Sequence, residues 1–152
     1  MPNQGGSENG QVLVDVLVVE DDADMRNGIV DLLDSEGLAV AWAANGREAL
    51  ELADAGVRPR LLLLDMQMPV MDGWTMLEER RNHPVLRSVP VVLTTALDRL
   101  HIVPNDVVAC LQKPVDPDRL LEIVEQHAHA EPVLRSGAGS HAHYLDALSA
   151  IV

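Results

Sequence analysis

Two spacings of apolar residues alternate along this chain. Residues 14–19 form a short β-branched run, broken only by Asp15, that ends abruptly in Glu20, Asp21 and Asp22. Such a run is the pattern of a strand covered on both faces, hence of a parallel sheet. Met25, Ile29, Leu32 and Leu33 then fall at i, i+4, i+7 and i+8, one stripe of a helix. Asp22 or Asp24 can cap its start, and Gly37 is the expected stop. A second strand over 38–43 is broken by Asn45-Gly46, and 47–55 reads as a helix carrying Ala49, Leu50 and Ala53. Pro59 punctuates, and a dense strand over 61–64 follows, ending in Asp65. Residues 66–73 make a loop, 74–81 a short helix closed before Pro84, and 89–94 a fourth strand with Thr95 at its end. After a fifth strand over 107–112, Asp116 caps a last helix. Pro117 fits its first position, Leu120, Leu121 and Val124 point inward, and it runs to about residue 130.

Between strands four and five the pattern weakens. Residues 96–106 have room for only a turn or two of helix, which Pro104 stops. Residues 1–11 are polar and glycine-bearing and read as a disordered tail. Residues 131–152 read as a linker, through Ser136-Gly137-Ala138-Gly139-Ser140, and a tail with the weak amphipathic pattern of Tyr144, Leu145, Leu148, Ile151 and Val152. One domain over 12–130 remains. Strands alternating with helices predict an α/β fold with a parallel sheet, right-handed crossovers and helices on both faces. Ligands of such sheets bind at the carboxyl ends of the strands.

Composition narrows the field. With no Phe and aromatics at 2%, the core has to be aliphatic. A net charge of −13 argues against binding nucleic acid or anionic lipid through their phosphates. The single Cys110 allows no internal disulfide and fits a reducing compartment; we expect a small buried strand residue there rather than a redox sensor. No apolar run approaches the length of a membrane span and no signal pattern opens the chain, so a cytoplasmic location is expected. No glycine-rich phosphate loop follows strand one, which disfavours nucleotide binding.

The predicted strand ends collect the chemistry: Glu20, Asp21 and Asp22 after the first, Asp65 after the third, Thr95 after the fourth, Lys113-Pro114 after the fifth. Taken singly, each has an ordinary explanation as helix cap, strand former or surface charge. Asp65 is sharper, because a charge at the end of a buried strand has to be paired or used. Several carboxylates crowded on one rim need a cation, and hard oxygens with open positions suit Mg2+. A lysine and a threonine are what a transferred phosphoryl group needs, and Asp65 can be its nucleophile.

In this order, Val18-Val19-Glu20-Asp21-Asp22, then Leu63-Leu64-Asp65-Met66-Gln67-Met68-Pro69-Val70-Met71-Asp72-Gly73, then Thr95-Ala96, then Lys113-Pro114 resemble the receiver domain of two-component response regulators, of the chemotaxis-type single-domain kind. The resemblance covers residues 12–130. It implies a flavodoxin-like five-stranded sheet in order 2-1-3-4-5, with the family's fourth helix shortened here. It further implies that Asp65 is the phospho-acceptor and that Mg2+ is held by Glu20, Asp21 (the more direct ligand of the pair), Asp65 and the backbone carbonyl of Gln67. Thr95 is then the switch hydroxyl, Lys113 the phosphoryl-binding lysine, and the Lys113–Pro114 bond cis. The donor would be a histidine kinase or phosphotransfer protein, and the output a contact with a downstream protein, with no nucleic acid, no membrane and no enzymatic turnover.

Three departures qualify the match. Cys110 stands where the family has Tyr or Phe, so the usual threonine–aromatic coupling has no ring to move. The segment from Thr95 to Lys113 is short. Glu20 replaces the more usual Asp, and Leu97 is apolar at a position that, with Gln67, tunes phosphoryl loss in the family. Two rivals follow: a receiver scaffold with an impaired switch, and an Asp-nucleophile phosphatase. The second needs an acid/base Asp two residues after the nucleophile, where this chain has Gln67. Trp42 and Trp74 read as packing residues. His127 and His129 point to different sides of a helix and cannot easily share a metal. No DNA-binding or catalytic output domain fits in the remaining residues, which points to a stand-alone regulator or a piece of a longer chain.

Overall fold

Leucine- and valine-rich runs cannot bury their backbone unpaired, so each has to find a neighbour. In the computed structural model of the chain, which describes residues 10–96 and 107–128, they find one another. The strands are β1 (Val12–Val19), β2 (Val40–Ala43), β3 (Val57–Asp65), β4 (Val91–Thr95) and β5 (Val107–Gln112). All adjacent pairs are parallel, and the order is β2-β1-β3-β4-β5, as the resemblance implies. The helices among the described residues are α1 (Ala23–Ser35), α2 (Gly46–Ala55), α3 (Gly73–Arg81) and α4 (Pro117–Ala128), with a 3-10 turn at Leu86–Ser88 before β4.

Alternation along the strands feeds two cores. Leu61 and Leu63 face one side with Val16 and Val18, under Ile29, Val30 and Leu33 of α1 and Leu120, Ile123 and Val124 of α4. Leu62 and Leu64 face the other with Leu17 and Val19, under Ala49, Leu52 and Ala53 of α2 and Met76 and Leu77 of α3. Helices therefore lie on both faces, and every strand points its carboxyl end to one rim.

Local signals set most boundaries. Asp22, rather than Asp24, caps α1, accepting from the Met25 N–H at 3.0 Å. Gly37, at φ +81°, takes the left-handed turn after that helix. Asp116 caps α4, accepting from the Asp118 N–H at 3.1 Å.

Other boundaries differ from the sequence reading. β1 starts at Val12 rather than 14, β2 at Val40 rather than 38, and β4 at Val91 rather than 89. β3 begins at Val57 and runs through Pro59. Pro59 pairs only with β1, opposite Val14, while β4 joins from Leu62 onward, so its missing N–H interrupts no ladder there. Asp15, the one polar residue in the β1 run, is fully buried, and its Oδ2 accepts from the Ala39 N–H at 2.8 Å at the entrance to β2. Residues 1–9 of the first tail, all of the second, and residues 97–106, where the shortened helix is expected, lie outside the described residues. Among the described residues no helix is long and apolar enough to cross a membrane.

Candidate functional site

The parallel sheet brings Glu20 and Asp21, just past β1, beside Asp65 at the end of β3. Lys113 comes from the edge strand two positions away. Its Nζ lies 3.1 Å from Asp65 Oδ1 and 3.2 Å from Glu20 Oε1. Its own N–H donates to the Thr95 carbonyl at 2.7 Å, which ties the end of β5 to the end of β4. The Lys113–Pro114 bond is cis. Thr95 itself is buried at the last position of β4.

Burial and charge shape these groups. Glu20 and Asp65 are 2% and 1% exposed. Burial, together with the adjoining Asp65 carboxyl, raises the pKa of Glu20 to about 7. Burial by itself lowers the pKa of Lys113. The hydrogen bond to Asp65 and the charges of Glu20 and Asp65 outweigh it and raise its pKa. Lys113 is thus a fixed cation at neutral pH, held between two carboxyls.

The two oxygens of Asp65 are not equivalent. Oδ1 takes Lys113 and the Gln67 N–H, the latter at 3.2 Å. Oδ2 is buried and accepts no hydrogen bond. An oxygen in that state is expensive unless something else comes to it. Carboxylate oxygens of Glu20, Asp21 and Asp65 lie within 4.8 Å of one another, with Asp21 the exposed member. Hard oxygen donors, one of them orphaned and one open to solvent, fit Mg2+, which favours a few carboxylates plus waters.

The loop after Asp65 is built to hold this geometry. Gln67 is exposed, and its Oε1 accepts from the Ala96 N–H at 3.4 Å, linking the loop to the residue after Thr95. The Met71 N–H closes on the Pro69 carbonyl at 2.7 Å, a tight turn that forces Val70 to φ +69°. A β-branched residue in that region is strained. Asp72 then caps α3, accepting from the Thr75 N–H at 2.8 Å. Gly73 has no room for a side chain, since a Cβ would stand 2.9 Å from the Asp65 carbonyl oxygen.

Several residues stand elsewhere than expected, or mattered without being singled out. Cys110 is exposed, not buried. The shift of register between β4 and β5 near Val91 and Val92 pairs it with Leu93, on the edge strand. Trp74 is 44% exposed rather than packed. Trp42 does pack, and it carries the guanidinium of Arg26 at 4.1 Å from the ring centroid. Arg26 was not a sequence candidate; its Nη1 donates to the Glu20 carbonyl at 3.1 Å. Only its place four residues after the cap of an acidic helix start could have drawn attention to it. Leu97 lies outside the described residues, as does His129.

Residues 16–125 match the model of the response regulator receiver domain. The chain belongs to this receiver family. It is 37% identical over 123 residues to a 14.6 kDa protein of Leptolyngbya boryana, covering 78% of this chain and 93% of that one. It is 30% identical over 116 residues to the polar-differentiation response regulator DivK of Brucella anthropi, covering 74% and 94%. It also spans 56% of the response regulator Rre1 of Synechocystis, at 33% identity over 132 residues and 84% of this chain, so some relatives carry about as much chain again. Among solved structures, the receiver domain of the sensor histidine kinase PA1611 of Pseudomonas aeruginosa holds a magnesium ion in its active-site cleft. It matches with a TM-score of 0.64 at 27% identity, covering 76% of this chain and 97% of that one.

Proposed function

We propose that this receiver is phosphorylated on Asp65 by a phosphohistidine of a histidine kinase or phosphotransfer protein, and that it signals through contact with a downstream protein. The observation that carries this is the Asp65 carboxylate at the end of β3, with Oδ1 held by Lys113 and Oδ2 buried without a hydrogen-bond partner. In the transfer an Asp65 oxygen bonds to phosphorus as the phosphorus–nitrogen bond breaks, its electron pair returning to the donor imidazole. Lys113 supplies a point charge to the phosphoryl oxygens, and the Thr95 hydroxyl a hydrogen bond once those oxygens are in place. Glu20, Asp21, Asp65 and the Gln67 carbonyl would hold Mg2+, which neutralises charge on the transferring group when bound. The new contacts then bias a two-state equilibrium at the ends of β4 and β5. The decisive experiment is intact-mass spectrometry after incubation with acetyl phosphate and Mg2+. Wild type should gain one phosphoryl group and Asp65→Asn none; a gain on both, or on neither, refutes the assignment.

A second reading, a receiver scaffold with an impaired switch, is favoured by exposed Cys110 where a mobile ring is usual. Beryllofluoride with Mg2+ separates the two. A working switch changes amide exchange near Thr95 and Lys113, and a scaffold leaves both ends as they were. A phosphatase is disfavoured because the Gln67 amide does not ionise and cannot serve as the general acid/base that such an enzyme needs two residues after its nucleophile.

A further inference from the structure

Arg26 stands where helix electrostatics disfavour it. It occupies the first turn of α1, where outward backbone N–H groups repel a cation, and it is the one basic residue of that helix. Its surroundings account for the position. Nη1 donates to the Glu20 carbonyl at 3.1 Å. The guanidinium lies over the Trp42 ring at 4.1 Å from its centroid, a contact that favours a planar cation. Nε is buried without a hydrogen bond, so the group forgoes one donor to lie there. Trp42 belongs to β2, next to Ala43, whose carbonyl accepts the Glu20 N–H at 3.1 Å. Both backbone polar groups of Glu20 are therefore gripped, the N–H by β2 and the carbonyl by an arginine laid on the tryptophan of the same strand. At this residue the chain leaves β1 and turns toward α1, and from here the carboxyls of Glu20 and Asp21 project toward Asp65.

We propose that Arg26 and Trp42 form a clamp that positions Glu20 and Asp21 to receive a divalent cation, Arg26 acting as a positioning residue and not as a ligand. The proposal rests on the reading of the acidic cluster as a Mg2+ site. It makes a prediction opposite to that of simple electrostatics. A positive charge near the cluster competes with Mg2+, so if charge were all that mattered, Arg26→Ala would bind Mg2+ more tightly and Arg26→Lys as wild type does. If position matters, both variants weaken binding, because lysine keeps the charge but has no plane to lay on the ring.

The test is a Mg2+ titration followed by amide NMR shifts of Asp21, Asp22 and Gln67 in the intact chain, for wild type, Arg26→Ala, Arg26→Lys and Trp42→Leu. All three variants should bind Mg2+ about tenfold more weakly, the low end of what loss of a ligand's supporting contact does. The spread of amide signals in the rest of the sheet reports whether each variant is folded; should Arg26→Ala unfold, the other two variants decide. Tighter binding by Arg26→Ala, or wild-type affinity in Arg26→Lys and Trp42→Leu, overturns the clamp while leaving the metal site standing. A wild-type chain that binds no Mg2+ overturns both.

Discussion

The same substitution, glycine to alanine, should move the stability of this receiver in opposite directions at two helical positions. Gly28 lies midway along α1, exposed, and an added Cβ there meets nothing within 4 Å. Alanine removes backbone freedom from the unfolded chain and shields the helix, a gain of about 1 kcal/mol. At Gly73 the new Cβ would stand 2.6 Å from Met66 Sδ, 2.7 Å from Met66 Cα and 2.9 Å from the Asp65 carbonyl oxygen. The sulfur ends a flexible side chain and can swing aside; the other two atoms are backbone and cannot. Overpacking of this kind costs about 1–3 kcal/mol, and the helix-propensity gain offsets at most about 1 kcal/mol of it at the first position of α3. The net expectation is a loss of about 1–2 kcal/mol. Urea denaturation measures both, with a higher midpoint for Gly28→Ala, a lower one for Gly73→Ala, and unchanged slopes. Because the atoms that have to yield belong to Asp65 and Met66, Gly73→Ala should also slow labelling by acetyl phosphate, and Gly28→Ala should not. A Gly73→Ala protein as stable as wild type would show that the loop after Asp65 is not held as tightly as these distances imply. A destabilised Gly28→Ala would show that α1 needs its glycine for something the exposed position does not reveal.

Glu20 makes stability depend on pH in the absence of metal. With its pKa raised from 4.5 to about 7, the folded chain keeps a proton that the unfolded chain has released. The resulting stabilisation is complete below pH 4.5 and is lost as pH rises through 7, up to about 3 kcal/mol in all. Glu20→Gln should flatten that part of the curve in EDTA, and an unchanged slope would refute the linkage. Val70→Asn should gain about 1 kcal/mol in urea, because Asn tolerates the positive φ that strains valine; a loss would mean that the exposed valine makes a contact of value. Asp72→Ala should lower stability by about 1 kcal/mol through loss of the α3 cap, read as a fall in melting temperature, and no change would mean that the turn closes α3 unaided.

Much of this molecule is determined locally and could be read from residue order. A strand buried on both faces has to be apolar throughout, so β1 and the leucines of β3 announce themselves. Helix ends are signalled within a few residues, so Asp116 and Gly37 could be assigned from the chain alone and the cap of α1 narrowed to Asp22 or Asp24. The acids, Asp65, Thr95 and Lys113 lie at strand ends because a parallel sheet puts its chemistry there. Tertiary structure alone decided how those residues meet. Lys113 is 48 residues from Asp65, and nothing local says that its ammonium bridges Asp65 and Glu20. Nothing local says that the meeting leaves Asp65 Oδ2 orphaned. Pro59 could join a strand because its unpaired edge happens to face no neighbour at that level. Cys110 reads as a core residue by type and is exposed by its place on the edge strand. Arg26 looked like one more charge on a helix until the fold laid it across Trp42 and against the Glu20 carbonyl. Periodicity and capping act over one or two turns of chain, whereas burial, pairing and pKa depend on what the fold brings in from elsewhere. The first kind of information is written in neighbouring residues; the second exists only once the sheet has closed.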